Sequence, residues 1–138
     1  MAVVDPVGLD PRRSGATRPL RLLWLIDSLT LGGAESLTVA FARAARERSI
    51  ELTVCARTTI EGNPLESEIR AAGVAVENLG ASNLHDVRAF RQLLAIVRER
   101  QIDIIHAHLT YAAIWGGVAS LATGVPSIAT MHVAPPRG

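Results

Sequence analysis

A chain of 138 residues with 49% hydrophobic and 20% charged residues has room for one domain with a real core, which excludes disorder of the whole chain. The formal net charge is +1, so electrostatics gives no argument for nucleic acid or an anionic membrane as partner. The single cysteine, Cys55, rules out an internal disulfide and fits a reducing cytosol. It lies in the apolar stretch LTVCA, where a buried, inert thiol is expected. No apolar run reaches the roughly 18–20 residues of a membrane span. Arg12-Arg13 precedes an apolar stretch as in a twin-arginine export signal, but Asp27 interrupts that stretch and no small-residue cleavage site follows.

Residues 1–19 carry Pro6, Pro11, Pro19, Gly8 and Gly15 with mixed charges and no periodicity, the composition of a flexible tail. Leu22 to Ile26 is a near-continuous apolar run, expected of a strand buried on both faces in a parallel sheet. Asp27, Ser28 and Thr30 end it, and Gly32-Gly33 leads into a helical pattern from Ala34 to Arg48. In that helix Leu37, Ala40, Phe41, Ala44 and Ala45 form the expected inner face. Glu51 to Ala56 reads as a second strand, with β-branched Thr53 and Val54 inside.

Gly62-Asn63-Pro64 leads into a short helix, Leu65 to Ala72, with Gly73 placed as its C′ glycine. Val74 to Leu79 is a short third strand. Asp86 can cap a helix running to Arg100, with Val87, Phe90, Leu93, Leu94 and Val97 inward. Asp103 to His108 is the fourth strand, Tyr111 to Thr123 a small-residue apolar helix closed by Gly124, and Ser127 to Met131 the fifth strand. Five strands alternating with helices predict an α/β fold: a Rossmann-like open parallel sheet with helices on both faces.

Ligands of such sheets bind beyond the carboxyl ends of the strands, and polar residues gather there. Ser28 and Gly32-Gly33 follow strand one, His106 and His108 close strand four, and His132 follows strand five. A strand, a glycine turn and a helix N-terminus together can form an anion site, because free N–H groups and the positive end of the helix dipole point outward; a Gly-Gly turn after a strand also answers a simple backbone need. His106 and His108 fall on one face of their strand. His106 reads as a core histidine or as one that supports a site residue, and His108 and His132 as site residues. Neither the G-x-G-x-x-G dinucleotide fingerprint nor the phosphate loop G-x-x-x-x-G-K-[ST] occurs. His-x-His has no acidic or cysteine partners at ligand spacing, so no metal is expected.

LTLGGAE after strand one, IDIIHAHL at strand four and PSIATMH at strand five resemble the N-terminal domain of the family 4 glycosyltransferases, retaining enzymes of the GT-B architecture. The resemblance covers about Arg21 to Pro135. It implies transfer of a sugar from a nucleotide-sugar donor with retention of configuration and without a cofactor or metal. It also implies an N-terminal domain that mainly binds the sugar or lipid acceptor, in the cytoplasm or peripherally at the inner membrane face. The glycine loop of the family approaches the donor diphosphate, which maps onto Gly32 and Gly33, with Ser28 beside them. The family's histidine after strand five contacts the donor sugar near the reacting carbon and maps onto His132, and its strand-four histidine at the cleft floor maps onto His108.

Enzymes of this architecture hold the donor nucleotide mostly through a C-terminal domain with paired glutamates, and no counterpart lies within residues 20–138. The expectation is therefore an acceptor-side domain, incomplete at its C-terminus, inactive alone, and ending at a poorly covered strand five that exposes an apolar patch. Two readings compete with it. One is a stand-alone Rossmann-like binding or interaction module that needs a partner subunit. The other is a GT-B-like sugar-nucleotide epimerase, which requires carboxylates at the strand ends for proton transfer, where only Asp27 is found.

Overall fold

A computed structural model describes residues 18–29, 33–58 and 63–131. Its strands are β1 (Leu20–Ser28), β2 (Ile50–Thr58), β3 (Ala75–Asn78), β4 (Ile104–His108) and β5 (Ser127–Thr130), and its helices are α1 (Gly33–Ala45), α2 (Pro64–Ala71), α3 (Val87–Glu99) and α4 (Thr110–Thr123). All strand pairs are parallel, in the order β3-β2-β1-β4-β5. The expected α/β Rossmann-like sheet is the observed one. β1 sits at its centre, which is why Leu23, Leu25 and Ile26 are fully buried: a central parallel strand is covered on both faces.

Two hydrophobic cores lie on opposite faces of the sheet. On one, Leu22, Trp24 and Ile26 of β1 pack with Val54 of β2, Val39 and Ala42 of α1 and Ile69 of α2. On the other, Leu23, Leu25 and Cys55 pack with Leu93 and Val97 of α3 and Trp115 and Ala119 of α4. Period-two alternation along β1 thus sends successive side chains into different cores. Cys55 is buried, and burial, with the nearby Glu77 carboxylate adding to it, pushes its thiol pKa well above the ordinary value.

The helix ends follow from local chemistry. Asn63 caps α2 by accepting the Leu65 amide at 2.8 Å, with Pro64 at the first helical position. Gly73 (φ +83°) and Gly124 (φ +78°) leave α2 and α4 in the left-handed region that glycine tolerates. Asp86 caps α3 by accepting the Ala89 amide and also accepts from Ser82; those N–H donors hold its carboxyl below the usual range.

The structure differs from the sequence reading in several places. The first helix ends at Ala45, and Arg46–Arg48 tightens into a 3-10 turn. β1 and β2 are longer than expected, each running to the crevice at Ser28 and Thr58. Leu37 is 46% exposed while its neighbour Thr38 is buried, because Trp24 Nε1 needs an acceptor and takes Thr38 Oγ1 at 2.9 Å. Val87 is exposed rather than inward, since capping by Asp86 turns the first residue of α3 away from the sheet. At the edge, Ile128 and Met131 are each 50% exposed, so strand five does end in a partly uncovered apolar patch. Of the expected tail, residues 1–17 lie outside the described residues; Arg18 forms an ion pair with Asp103.

α4 packs closely on the sheet through Gly116. A Cβ there would stand 3.1 Å from Ala107 Cβ and 3.5 Å from Ile105 Cγ2, whereas one at Gly117 meets nothing within 4 Å. Gly116→Ala is expected to destabilise the fold by about 1–3 kcal/mol, because Ala107 is on a buried strand and cannot yield. Gly117→Ala is expected to stabilise it by up to about 1 kcal/mol through helix propensity. Chemical denaturation of the two variants checks the contrast; equal effects would contradict the packing described.

Candidate active-site crevice

The chain steps outward from β1 to β2 and β3, then crosses back to β4 on the other side of β1. The winding therefore reverses between β1 and β4, and the crevice beyond their carboxyl ends is where an open parallel sheet takes its ligand. Asp27 and Ser28 end β1, Arg57 and Thr58 end β2, and His108 ends β4. α1 begins at Gly33, five positions beyond the last residue of β1, so its N-terminal amides stand at this edge of the sheet.

Asp27 carries the crevice wall on the side of α3 and α4. The turn from β4 into α4 passes through Leu109 at φ 76°, ψ 172°, and α4 has no side-chain cap of its own. That backbone conformation is nearly reserved for glycine and costs a residue with a Cβ about 1–3 kcal/mol. The cap comes from another strand: Asp27 Oδ1 accepts the Ala112 amide. Arg57 Nε stands 4.0 Å from the same oxygen, and the Arg57 guanidinium lies over the Tyr111 ring at 5.2 Å and near the Trp115 ring at 5.9 Å.

The other wall is built on Trp24. Its indole stacks on the His108 ring at 3.9 Å and 21°, meets Phe41 of α1 at 4.6 Å, and bonds to Thr38. His106 and His108 do share this face, 4.0 Å apart. His108 is 1% exposed, while His106 is partly exposed and its Nε2 lies 2.7 Å from Thr130 Oγ1. Ser28 is half-buried at the mouth. Gly33 opens α1, while Gly32 and His132 lie outside the described residues. Among the described residues, no group of three or more metal-ligating side chains occurs, and no helix is long and apolar enough to cross a membrane.

The sequence reading missed Arg57, Tyr111, Trp115 and the partnership of Trp24 with His108. The one available signal was an arginine closing an apolar strand, LTVCAR, at its carboxyl end. Outside the crevice, a groove of about 370 Å³ runs between α3 and α4, lined by Val87, Phe90, Ile114, Trp115 and Val118.

The five-stranded parallel sheet and the place of its crevice are those of a Rossmann-like α/β domain. The Glycosyltransferase Family 4 profile matches residues 31–137, and the chain belongs to that family. No curated protein sequence matches the chain significantly. Among solved structures it is similar to a glycosyltransferase from Rickettsia africae ESF-5, with a TM-score of 0.61 and 13% identity over 80% of this chain and 29% of that one. It is also similar to Acinetobacter baumannii MurG (TM-score 0.59, 12% identity, 82% of this chain and 34% of that one). A UDP-N-acetylglucosamine 2-epimerase gives a TM-score of 0.55 at 14% identity, over 82% of this chain and 32% of that one. At these identities the likeness is one of fold, and the chain spans about a third of the length of each.

Removing the Asp27 carboxylate strips α4 of its cap and Arg57 of its counter-charge together. Asp27→Ala is expected to cost about 1–3 kcal/mol, and Asp27→Asn, which keeps a neutral acceptor for the Ala112 amide, less. Denaturant melts of both variants decide it. If Ala and Asn substitutions cost the same, the cap is not what Asp27 supplies.

Proposed function

We propose that this chain is the acceptor-side domain of a retaining glycosyltransferase that moves a sugar from a nucleotide-sugar donor onto a sugar or lipid acceptor, in the cytoplasm and without a metal or cofactor. The observation that carries the proposal is the family match across residues 31–137, a range that takes in Gly32, Gly33, His106, His108 and His132 in sequence. In this reading the backbone amides around Gly32 and Gly33 receive the donor diphosphate, where negative charge grows as the sugar leaves. His132 acts beside the reacting carbon. His108, buried against Trp24, shapes the crevice floor and supports whatever binds above it, with Ser28 at the rim.

The donor nucleotide needs a second domain, so the 138 residues alone are expected to release no nucleoside diphosphate from any nucleotide sugar. Measurable turnover by this chain would overturn the division of labour. In a longer chain that includes the donor-binding domain, His132→Ala is expected to lower kcat by about 10²–10³, with His106→Ala changing it little. An unchanged kcat in His132→Ala removes the catalytic role.

The partly uncovered β5 edge, with Ile128 and Met131 half-exposed, favours one further reading: an interaction module whose partner subunit covers that strand. It predicts a tight heteromer in place of a covalently joined second domain. The epimerase reading is weaker, because the carboxylate it requires at the strand ends is already engaged: Asp27 holds the Ala112 amide and faces Arg57.

A further inference from the structure

Arg57 holds more anion-binding capacity than the fold uses. Its side chain is only 12% exposed, and its Nε is buried without a hydrogen-bond partner. The nearest anionic atom, Asp27 Oδ1, stands 4.0 Å from Nε, beyond hydrogen-bonding distance, and that oxygen already accepts the Ala112 amide. A guanidinium carries five donors in a rigid fork suited to bidentate capture of phosphate or carboxylate. Taking such a group out of water without acceptors is costly, and a buried unsatisfied donor calls for an explanation.

The surroundings supply one. The rings of Tyr111 and Trp115 support the guanidinium plate at 5.2 and 5.9 Å. Aromatic faces hold a guanidinium by its plane and leave its in-plane N–H edge for another partner. Arg57 stands beside Asp27 at the carboxyl ends of neighbouring strands, and Tyr111 in the first turn of α4 is 49% exposed, so solvent reaches the rim of this corner. Asp27 keeps the charge in place without consuming its hydrogen bonds.

We propose that Arg57 receives an anionic group, a phosphate or a carboxylate, of the small molecule that enters the crevice. The assignment of that molecule as the sugar acceptor rests on the function proposed above; the anion site itself does not. Taken together, the two narrow the acceptor to molecules that carry a phosphate or carboxylate close to the hydroxyl that receives the sugar.

The test uses the 138-residue chain and inorganic phosphate, then glucose 6-phosphate and glucose. Phosphate is expected to raise the melting temperature of the wild-type chain above that in sodium chloride of equal ionic strength, since a ligand that binds only the folded state stabilises it. Arg57→Gln should abolish the rise, and Arg57→Lys should keep part of it. Glucose 6-phosphate should act like phosphate or more strongly, and glucose should not act. Should Arg57→Gln fail to fold, phenylglyoxal modification of the wild-type chain gives the same answer: phosphate should slow modification of the Arg57 peptide several-fold and leave the Arg91 peptide unaffected. An equal phosphate effect in wild type and Arg57→Gln, no effect in wild type, or unprotected Arg57 overturns the proposal. No donor sugar or transfer step is involved, so a failed anion site and a failed transferase reading appear in separate assays.

Discussion

The crevice depends on one carboxylate. Asp27 closes the central strand, caps the helix that follows β4 and stands beside the arginine that ends β2, so it joins β1, β2 and α4 where the winding of the sheet reverses. Without it α4 would start from a strained Leu109 with its first amides unsatisfied. An aspartate at the end of a buried strand looks, by sequence alone, like a candidate acid or base. Here its hydrogen bond to the Ala112 amide makes it a structural cross-link that fixes the crevice wall.

The two walls differ in kind. The wall toward α1 is aromatic and closed: Trp24, Phe41 and His108 pack as a stack, with Thr38 satisfying the indole. That arrangement sets the height of the floor and the start of α1 relative to the sheet. Opposite it, the wall toward α4 is charged, with Asp27, Arg57 and Tyr111 at the edge. A small-molecule crevice needs both qualities: a fixed apolar floor that excludes water, and a few polar groups placed for particular atoms of the ligand. Strand order makes them neighbours although their residues are up to 85 positions apart in the chain.

The fold was legible because it is written in periodicity. Leu22 to Ile26 reads as a doubly buried strand, and Asn63, Gly73, Asp86 and Gly124 mark helix ends through chemistry that is local in sequence. The errors share one cause. Leu37 and Val87 are apolar yet exposed, and Thr38 is polar yet buried, because the outcome is set by a partner across the fold: Trp24 demands an acceptor, and Asp86 turns the first residue of α3. Periodicity weighs a side chain by its polarity and cannot see that partner. The same limit hid Arg57, whose significance lies in what it does not bond, and gave Asp27 a chemical look that its Ala112 contact removes. The positions of His106 and His108 at the carboxyl end of β4 were legible from the same periodicity.

Titrating the ¹⁵N-labelled chain with glucose 6-phosphate at millimolar concentration, and following every backbone amide, tests most directly whether the crevice beyond β1 and β4 takes the ligand of this domain. Shifts are expected at the ends of β1 and β4 and in the first turns of α1 and α4, from Ser28 and Gly33 to Leu109 and Ala112. Shifts centred on the groove between α3 and α4 or at the amino ends of the strands, or no shift at all, would contradict that assignment.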